Sequence, residues 1–169
     1  MAIAAVLVLA MGIITAAVMT THGGGSSDAS PVPAVRPFVL SPVIAGRPSA
    51  SLTASPGRPV VLTFFASWCA PCVDELPLLQ KLSVRGDPAV VGVDEMDQRP
   101  DGSDLVRQAG VTFPAGFDHD GAVGQSYAIN GLPINVFIAP DGRVVAYHRG
   151  QLDQHQLDGL VRRLLAAAP

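Results

Sequence analysis

The 169 residues carry a formal net charge of -3 and a pI near 5.7, so the chain lacks the basic footprint of a nucleic-acid-binding protein. Its two cysteines, Cys69 and Cys72, are too few for a multi-bridge secreted scaffold or for a four-thiolate zinc site. We therefore expect one modest globular unit whose cysteine pair is either redox-active or incidental.

Residues 2–19 form an apolar stretch that lacks charge. The stretch contains one polar side chain, Thr15, and as a helix it would be about 27 Å long. We expect residues 1–21 to be a retained transmembrane anchor, with a cleaved signal peptide as the alternative. No Lys or Arg precedes Arg36, so flanking charge indicates no orientation, and a start upstream of Met1 stays open. Neither cysteine follows the stretch, which excludes a lipoprotein.

Residues 22–37 have the composition of a flexible linker. Nine of these sixteen residues are Gly, Ser or Pro, and such a segment buries too little apolar area to offset its chain entropy. We expect it to hold a folded domain, residues 38–169, away from the membrane surface.

The folded domain is predicted to begin with strands. Short alternating runs at residues 38–40 and 49–53, broken by glycine and proline, favour a strand or a hairpin. The continuous β-branched and aromatic run at residues 60–65 is typical of a strand that is buried on both faces. This run leads directly to the two cysteines.

A helix is predicted from Pro71 onward, with Leu76, Leu79 and Leu82 on its apolar face and a bend expected at Pro77. The later predicted elements are a strand at 90–93, a short helix capped by Ser103 or Asp104 that ends at Ala109, a helix at 121–128, a hairpin of 134–139 and 143–147, and a closing helix with Leu157, Leu160, Val161, Leu164 and Leu165 on one face. This alternation of strands and helices predicts an α/β fold.

The spacing of the cysteines suits thiol-disulfide exchange. In that reaction a thiolate attacks a sulfur, so a catalyst needs an exposed cysteine of low pKa and a second cysteine to resolve the mixed disulfide. Cys69 is predicted at the junction of a buried strand and a helix, where the helix dipole favours its thiolate, and Cys72 is predicted to be more buried. Pro71 fits the first helical turn, and Trp68 is placed to cover the disulfide. Cys-x-x-Cys alone is a weak signal, but this context favours redox chemistry over a metal site or chance.

These motifs, in this order, resemble those of the TlpA-like or ResA-like branch of the thioredoxin superfamily. The resemblance covers residues 38–168 and consists of residues 59–72, Pro77, residues 90–93, Phe113-Pro114, residues 127–133, and residues 141–145 followed by Gly150. It implies a thioredoxin-like fold, in which helices flank a central mixed β-sheet. It also implies thiol-disulfide oxidoreductase activity on protein thiols and disulfides.

The resemblance assigns roles to several positions. Cys69 matches the attacking cysteine and Cys72 the resolving one, and together they form the redox-active disulfide. Pro133 matches a cis-proline that packs against the disulfide and lets the Leu132 backbone pair with a partner's extended chain. Glu75 matches an acid that helps to move protons, with a solvated helix residue as the alternative. The residues expected to contact substrates lie around the pair: Trp68, Ala70, Pro71 and Leu132.

The sequence departs from the family pattern at three places. Thr63 stands where thioredoxins proper keep a buried Asp, Phe65 replaces a common Trp, and Ile134-Asn135 replaces a frequent Thr-Thr pair after the cis-proline. We expect these changes to tune packing near the site. Residues 94–125 are long enough to contain the additional strand-helix unit of the family.

The remaining polar motifs are predicted to be structural. The four histidines, His22, His119, His148 and His155, lack ligand spacing and are expected on the surface, so we predict no metal and no other cofactor. The acids Asp94, Glu95 and Asp97 follow a strand end, where ligands often bind, but a solvated loop is the favoured interpretation. Residues 118–120 lack a calcium-loop pattern and are predicted to form a turn.

The leading hypothesis is an extracytoplasmic thiol-disulfide oxidoreductase, anchored in the membrane or secreted. The resemblance favours a reductant, for example in cytochrome c maturation, that receives electrons from a membrane donor, whereas a secreted oxidant shares the same motif. A Cu(I)-handling thiol chaperone is the alternative from another class, although no His or Met stands near the pair in sequence. A peroxidase ranks lowest, because Ala66 stands where that chemistry needs a threonine.

Overall fold

The computed structural model describes residues 35–53 and 57–167. Its elements, in chain order, are β1 (Val39–Leu40), β2 (Ala50–Ser51), β3 (Val60–Phe65), α1 (Ala70–Ser83), β4 (Ala89–Glu95), α2 (Arg99–Gln108), β5 (Ala115–Asp118), α3 (Ala122–Ser126), β6 (Ile134–Ile138), β7 (Val144–Arg149) and α4 (Gln154–Ala166). The short strands β1 and β2 pair with each other as a separate antiparallel sheet.

The other strands form one five-stranded sheet in the order β5-β4-β3-β6-β7. β4 runs parallel to both β3 and β5, whereas β6 is antiparallel to both β3 and β7. Parallel neighbours require crossover connections, which contain α1 and α2. The predicted α/β fold, with a central mixed sheet and flanking helices, is confirmed.

Apolar residues pack on both faces of this sheet. Val61 and Phe65 of β3 pack with residues of α1, α2 and α4, whereas Leu62 and Phe64 pack on the other face with Tyr127 and with residues of β1 and β2. Because successive side chains of a strand point to opposite faces, all 6 residues of β3 are buried. The buried strand predicted at residues 60–65 is therefore confirmed.

The carboxyl ends of β3, β4 and β5 meet at one edge of the sheet. β6 runs in the opposite direction, so its first residue, Ile134, pairs with Phe64 near the end of β3. The segments that follow β3 and β4 and the segment that precedes β6 consequently lie at the same edge. In open α/β sheets, ligands and reactive groups lie outside this edge.

α2 begins earlier than the sequence predicts. Its first residue is Arg99, so the predicted cap at Ser103 or Asp104 is wrong. Pro100 lies in the first turn, where its missing N–H needs no partner, and thereby suits this earlier start. The Ser103 hydroxyl instead donates to the Val43 carbonyl at 2.9 Å in the protein interior.

Two further elements differ from the sequence prediction. β5 has 4 residues, one of them glycine, and the sequence gives no sign of it, because its pairing with β4 holds it in place. α3 is shorter than the predicted helix at 121–128, since Ala128 has a φ of 54° and cannot continue the helix. Pro77 lies inside α1, and a bend there stays a prediction.

The predicted anchor and most of the predicted linker, residues 1–34, lie outside the described residues. At the end of the linker, the Tyr127 hydroxyl accepts a hydrogen bond from the Arg36 N–H at 3.1 Å and donates one to the Arg36 carbonyl at 2.7 Å. Within residues 35–53 and 57–167, no helix has the length and the apolar character needed to cross a membrane.

Candidate active site

Cys69 and Cys72 are joined by a disulfide at the start of α1, with an S–S distance of 2.01 Å. Cys69 is the N-cap residue of α1, and its Sγ accepts a hydrogen bond from the Cys72 N–H at 3.3 Å. Pro71 lies in the first turn, as predicted, where a missing N–H leaves no carbonyl unpaired. The Cys72 N–H, which donates to this sulfur, and the dipole of the helix end both favour a thiolate on Cys69 when the disulfide is reduced.

The two sulfurs differ in their access to solvent. Cys69 is 5% exposed and Cys72 is 1% exposed, which confirms that the second cysteine is the more buried one. Trp68, expected to cover the disulfide, is itself 63% exposed, and Ala70 and Pro71 are also exposed. Exposed apolar residues thus surround the disulfide, and Cys69 is the more accessible of its two cysteines.

The peptide bond between Leu132 and Pro133 is cis, as the resemblance implies. Pro133 is buried and directly precedes β6, which places it at the sheet edge where β3 ends. Leu132 is half-buried and packs against the apolar cluster that contains both cysteines. The structure thus brings the cis-proline segment and the disulfide to the same edge.

Glu75 lies on the buried face of α1 and is 1% exposed, so the alternative of a solvated helix residue is wrong. Each of its carboxylate oxygens has a donor: Asn135 Nδ2 at 2.7 Å from Oε1, and the Leu152 N–H at 2.6 Å from Oε2. Burial raises the pKa of Glu75, whereas the two hydrogen bonds lower it. Burial thus favours the protonated state of Glu75 and the two hydrogen bonds favour the ionised state; on balance its pKa is raised.

Two of the departures from the family pattern lie next to Glu75. Thr63 pairs with Asn135 across β3 and β6, so both side chains point to the same face of the sheet. Among the described residues, Thr63 Oγ1 and Asn135 Oδ1 are buried without a hydrogen-bond partner. These two departures thus change the polar groups around Glu75 as well as the packing.

The acids at the end of β4 are buried, so the predicted solvated loop is wrong. Asp94 is 0% exposed, Glu95 7% and Asp97 2%. α2 covers Asp94 on one face of the sheet and α3 covers Glu95 on the other, and in both places the helix residue above the carboxyl is a glycine, Gly102 or Gly124. A Cβ at either glycine would overlap that carboxyl.

Each of these two strand acids faces a second carboxyl. Burial and the neighbouring Asp97 raise the pKa of Asp94 to about 8. Burial and the neighbouring Asp118 raise the pKa of Glu95 to about 7. Asp118, predicted as part of a simple turn, is buried and accepts hydrogen bonds from the first turns of α3.

Asp97 connects this acidic edge to the cysteines. Its Oδ2 accepts from the Ser67 N–H at 2.6 Å, and its Oδ1 accepts from the Ser67 hydroxyl at 2.8 Å. The predicted site residues do not include Asp94, Asp97, Ser67 or Asn135. A usable signal exists for Asp94, because residues 90, 92 and 94 of a strand face the same apolar side.

Three of the four histidines lie among the described residues. His119 and His155 are exposed and His148 is half-buried, while His22 lies outside the described residues. Within residues 35–53 and 57–167, no three His, Cys, Asp or Glu side chains are arranged to hold a metal ion.

The mixed sheet, its flanking helices and a disulfide at the start of α1 define a thioredoxin-like protein. The chain belongs to the Redoxin family, whose sequence pattern matches residues 28–162. DsbF of Mycobacterium tuberculosis, solved in mixed oxidised and reduced forms, is a structural neighbour with a TM-score of 0.66 and 29% identity; the match covers 76% of this chain and 93% of that one.

Two curated relatives have similar sequences. Thiol-disulfide oxidoreductase ResA of Oceanobacillus iheyensis is 33% identical over 108 residues, which cover 61% of this chain and 55% of the relative. Thiol:disulfide interchange protein CycY of Rhizobium leguminosarum bv. viciae is 29% identical over 126 residues, which cover 74% of this chain and 62% of the relative. The chain thus spans about three fifths of the length of these relatives.

Proposed function

We propose that this chain is an extracytoplasmic thiol-disulfide oxidoreductase that exchanges disulfides with protein substrates through Cys69 and Cys72. The observation that carries the proposal is the disulfide at the N-terminus of α1, in which Cys69 is the more accessible cysteine. The names of the curated relatives support the same reaction class.

In the reducing direction, the reaction proceeds in two exchanges. The Cys69 thiolate attacks one sulfur of a substrate disulfide, and the other substrate sulfur leaves as a thiolate that takes up a proton. Cys72 then loses its proton and attacks Cys69 Sγ, which releases the second substrate thiolate and forms the Cys69–Cys72 disulfide. The substrate gains two electrons, and this protein loses two.

Glu75 is the proposed proton acceptor for Cys72. It lies on the same helix one turn further along, it is buried, and both of its oxygens accept hydrogen bonds. A base in such a place acts on the buried cysteine without exposing it to water. Substrate contact is assigned to Trp68, Ala70, Pro71 and Leu132, with Pro133 holding the Leu132 backbone at the site.

The proposed function also includes a location of the protein and a direction of electron flow. We place residues 1–21 in the membrane as an anchor, with secretion after signal cleavage as the alternative. The resemblance to the ResA-like branch favours a reductant, for example in cytochrome c maturation, that is re-reduced by a membrane electron donor. An oxidant of the same fold would instead pass its disulfide to substrates.

Trapping of intermediates tests the roles of the two cysteines. In cells that produce the full chain, Cys72→Ser should accumulate mixed disulfides with other proteins, because the first exchange occurs and the second cannot. Cys69→Ser is the matched control and should accumulate none. Adducts that survive reductant treatment, or equal adducts from both variants, would refute the assignment.

Equilibration of the purified full chain with glutathione buffers determines the direction. A reductant should have a potential near the thioredoxin value of about -270 mV, and an oxidant one near about -120 mV. A value close to the second figure would overturn the reducing role and leave the exchange reaction itself intact.

A further inference from the structure

The segment that leads from β3 to Cys69 is held by one buried carboxylate. Each oxygen of Asp97 accepts a hydrogen bond from Ser67, one from the N–H and one from the hydroxyl, at 2.6 Å and 2.8 Å. Asp97 is 2% exposed, so water does not compete for these bonds. Ser67 stands two residues before Cys69, and these bonds therefore fix the path of the chain into α1.

The Asp94 carboxyl is buried beneath Gly102 of α2, and the Asp97 carboxyl is close enough to raise its pKa. Asp94 is 0% exposed, and among the described residues neither of its oxygens has a hydrogen-bond donor. Two ionised carboxylates that lie close together in a buried place would repel each other strongly, because water does not screen their charges. A proton on Asp94 removes this repulsion, because its O–H then donates to Asp97 while Asp97 keeps its bonds to Ser67.

The covering helix is built to leave room for this acid. Gly102 of α2 lies directly above the Asp94 carboxyl, and any other residue there would place a Cβ inside it. The space is therefore part of the packing between α2 and the sheet. The buried Asp94 carboxyl is therefore a defined feature of the fold, and the exchange chemistry described above does not use it.

We propose that Asp97 is a positioning residue for the attacking cysteine, and that a proton carried by Asp94 keeps Asp97 bound to Ser67. The inference rests on the proposed function, since the position of Cys69 matters for thiol exchange. When Asp94 loses this proton, the second negative charge weakens the Asp97–Ser67 contact and disfavours the thiolate of Cys69 nearby.

Burial is the main reason that the pKa of Asp94 is raised, and the neighbouring charges adjust it. Asp97 from the loop after β4 and Glu95 from β4 itself add to the effect of burial, whereas Arg99 from α2 opposes it. Together they raise the pKa of Asp94 to about 8. The proton is consequently held at neutral pH and released under mildly alkaline conditions.

The first test follows the Ser67 amide by NMR in the oxidised full chain between about pH 6 and pH 10, where thiols joined in a disulfide cannot titrate. The Ser67 resonance should shift in one step near pH 8, the pKa of Asp94. Asp94→Asn should abolish the step, because its amide donates permanently and does not ionise. Asp101→Asn, an exposed acid in the first turn of α2, is the matched control and should retain it.

The outcomes of this titration decide the positioning role. A wild-type Ser67 resonance that does not move, or a step that persists in Asp94→Asn, would overturn the proposal. Since the measurement needs no substrate, it stands whether or not the protein exchanges disulfides.

The second test measures kcat/KM for reduction of insulin disulfides across the same pH range. Ser67→Ala should lower kcat/KM about threefold and Asp97→Asn about tenfold at pH 7, and Asp101→Asn should match wild type. In wild type the value should fall above pH 8 relative to Asp94→Asn. Wild-type profiles in all variants would refute the positioning role, whereas a wild type with a titrating Ser67 that neither reduces insulin nor exchanges its disulfide with glutathione would refute the proposed function alone.

Discussion

Glu75 illustrates how a buried acid can exchange a proton. Removal from water disfavours its charge, but a hydrogen bond to each oxygen restores part of the lost solvation. Asn135 supplies one of these bonds, and it stands at a position where the sequence departs from the family pattern. The protonation equilibrium of Glu75 is consequently adjustable through Asn135 without touching either cysteine.

Asn135→Leu should raise the pKa of Glu75 further, because it removes the side-chain donor that favours the carboxylate. A base that stays protonated accepts no proton, so resolution of the mixed disulfide should slow about tenfold at pH 7 and recover at higher pH. Glu75→Gln should slow it about a hundredfold without such a recovery. Single-turnover release of a substrate thiol, followed from about pH 5 to pH 9, measures both effects.

Gln80→Leu is the control for this series. Gln80 also uses its amide in hydrogen bonds on α1, but its partner is Thr112, away from the disulfide. Its pH profile should coincide with wild type. An Asn135→Leu profile that coincides as well would contradict the role given to Asn135.

The sequence identifies the reacting groups better than their supports. Cys69 and Cys72 belong to a short motif whose spacing carries the information, and the helix start follows from it, whereas the cis bond at Pro133 is implied by the family resemblance. The burial of Asp94 and Asp97 depends on α2, which covers them from outside their own segment. Acids that follow a strand have the same local sequence pattern whether or not a helix later packs over them, so the pattern does not predict their burial.

α2 and α3 each pack against a buried acid of β4 at a glycine of the helix. Helix interiors usually disfavour glycine, because it loses the most backbone freedom on folding. Glycine is nevertheless required at positions 102 and 124, because the carboxyls of Asp94 and Glu95 occupy the space that a side chain would need. α2 starts at Arg99, with Pro100 in its first turn, and Ser103 lies inside the helix with its hydroxyl bound to the Val43 carbonyl.

Gly102→Ala should lower the free energy of unfolding by about 1–3 kcal/mol, because the new Cβ forces α2 away from the Asp94 carboxyl. Gly159→Ala in α4 is the matched control, since a Cβ there meets only the Arg162 guanidinium at 3.8 Å. Alanine should stabilise that helix by up to about 1 kcal/mol. Urea denaturation of the oxidised protein measures both, and a stabilising Gly102→Ala would mean that the two surfaces are not in contact.

The centre of the sheet was predictable because its two central parallel strands are continuous apolar runs. β3 and β4 are buried on both faces, and this burial is visible in residues 60–65 and 90–93. β5 was not predictable, because its 4 residues gain strand geometry from pairing with β4 rather than from their own composition. Asp94 and Glu95 at the end of β4, and Glu75 on α1, all have a raised pKa because they are buried.

These raised pKa values couple the stability of the whole molecule to pH. The folded protein holds protons that the unfolded chain releases above about pH 4, so unfolding releases protons in that range. The stability associated with each acid is fully present below its unfolded pKa and is lost as pH rises to its folded pKa, about 7 for Glu95 and about 8 for Asp94. Above these values no further change is expected from these two groups.

The thermal unfolding temperature of the oxidised full chain should therefore fall by about 5 °C or more between about pH 5 and pH 8. Asp94→Asn and Glu95→Gln should each flatten part of this slope, because an amide binds no proton in either state. Asp141→Asn is the control, because hydrogen bonds from Arg143 lower the pKa of this exposed acid instead of raising it. Its loss should therefore leave the fall of the unfolding temperature between pH 5 and pH 8 unchanged. Scanning calorimetry at matched ionic strength separates these cases, and an unfolding temperature that rises from pH 5 to pH 8 in wild type would contradict the burial of protonated acids at this edge.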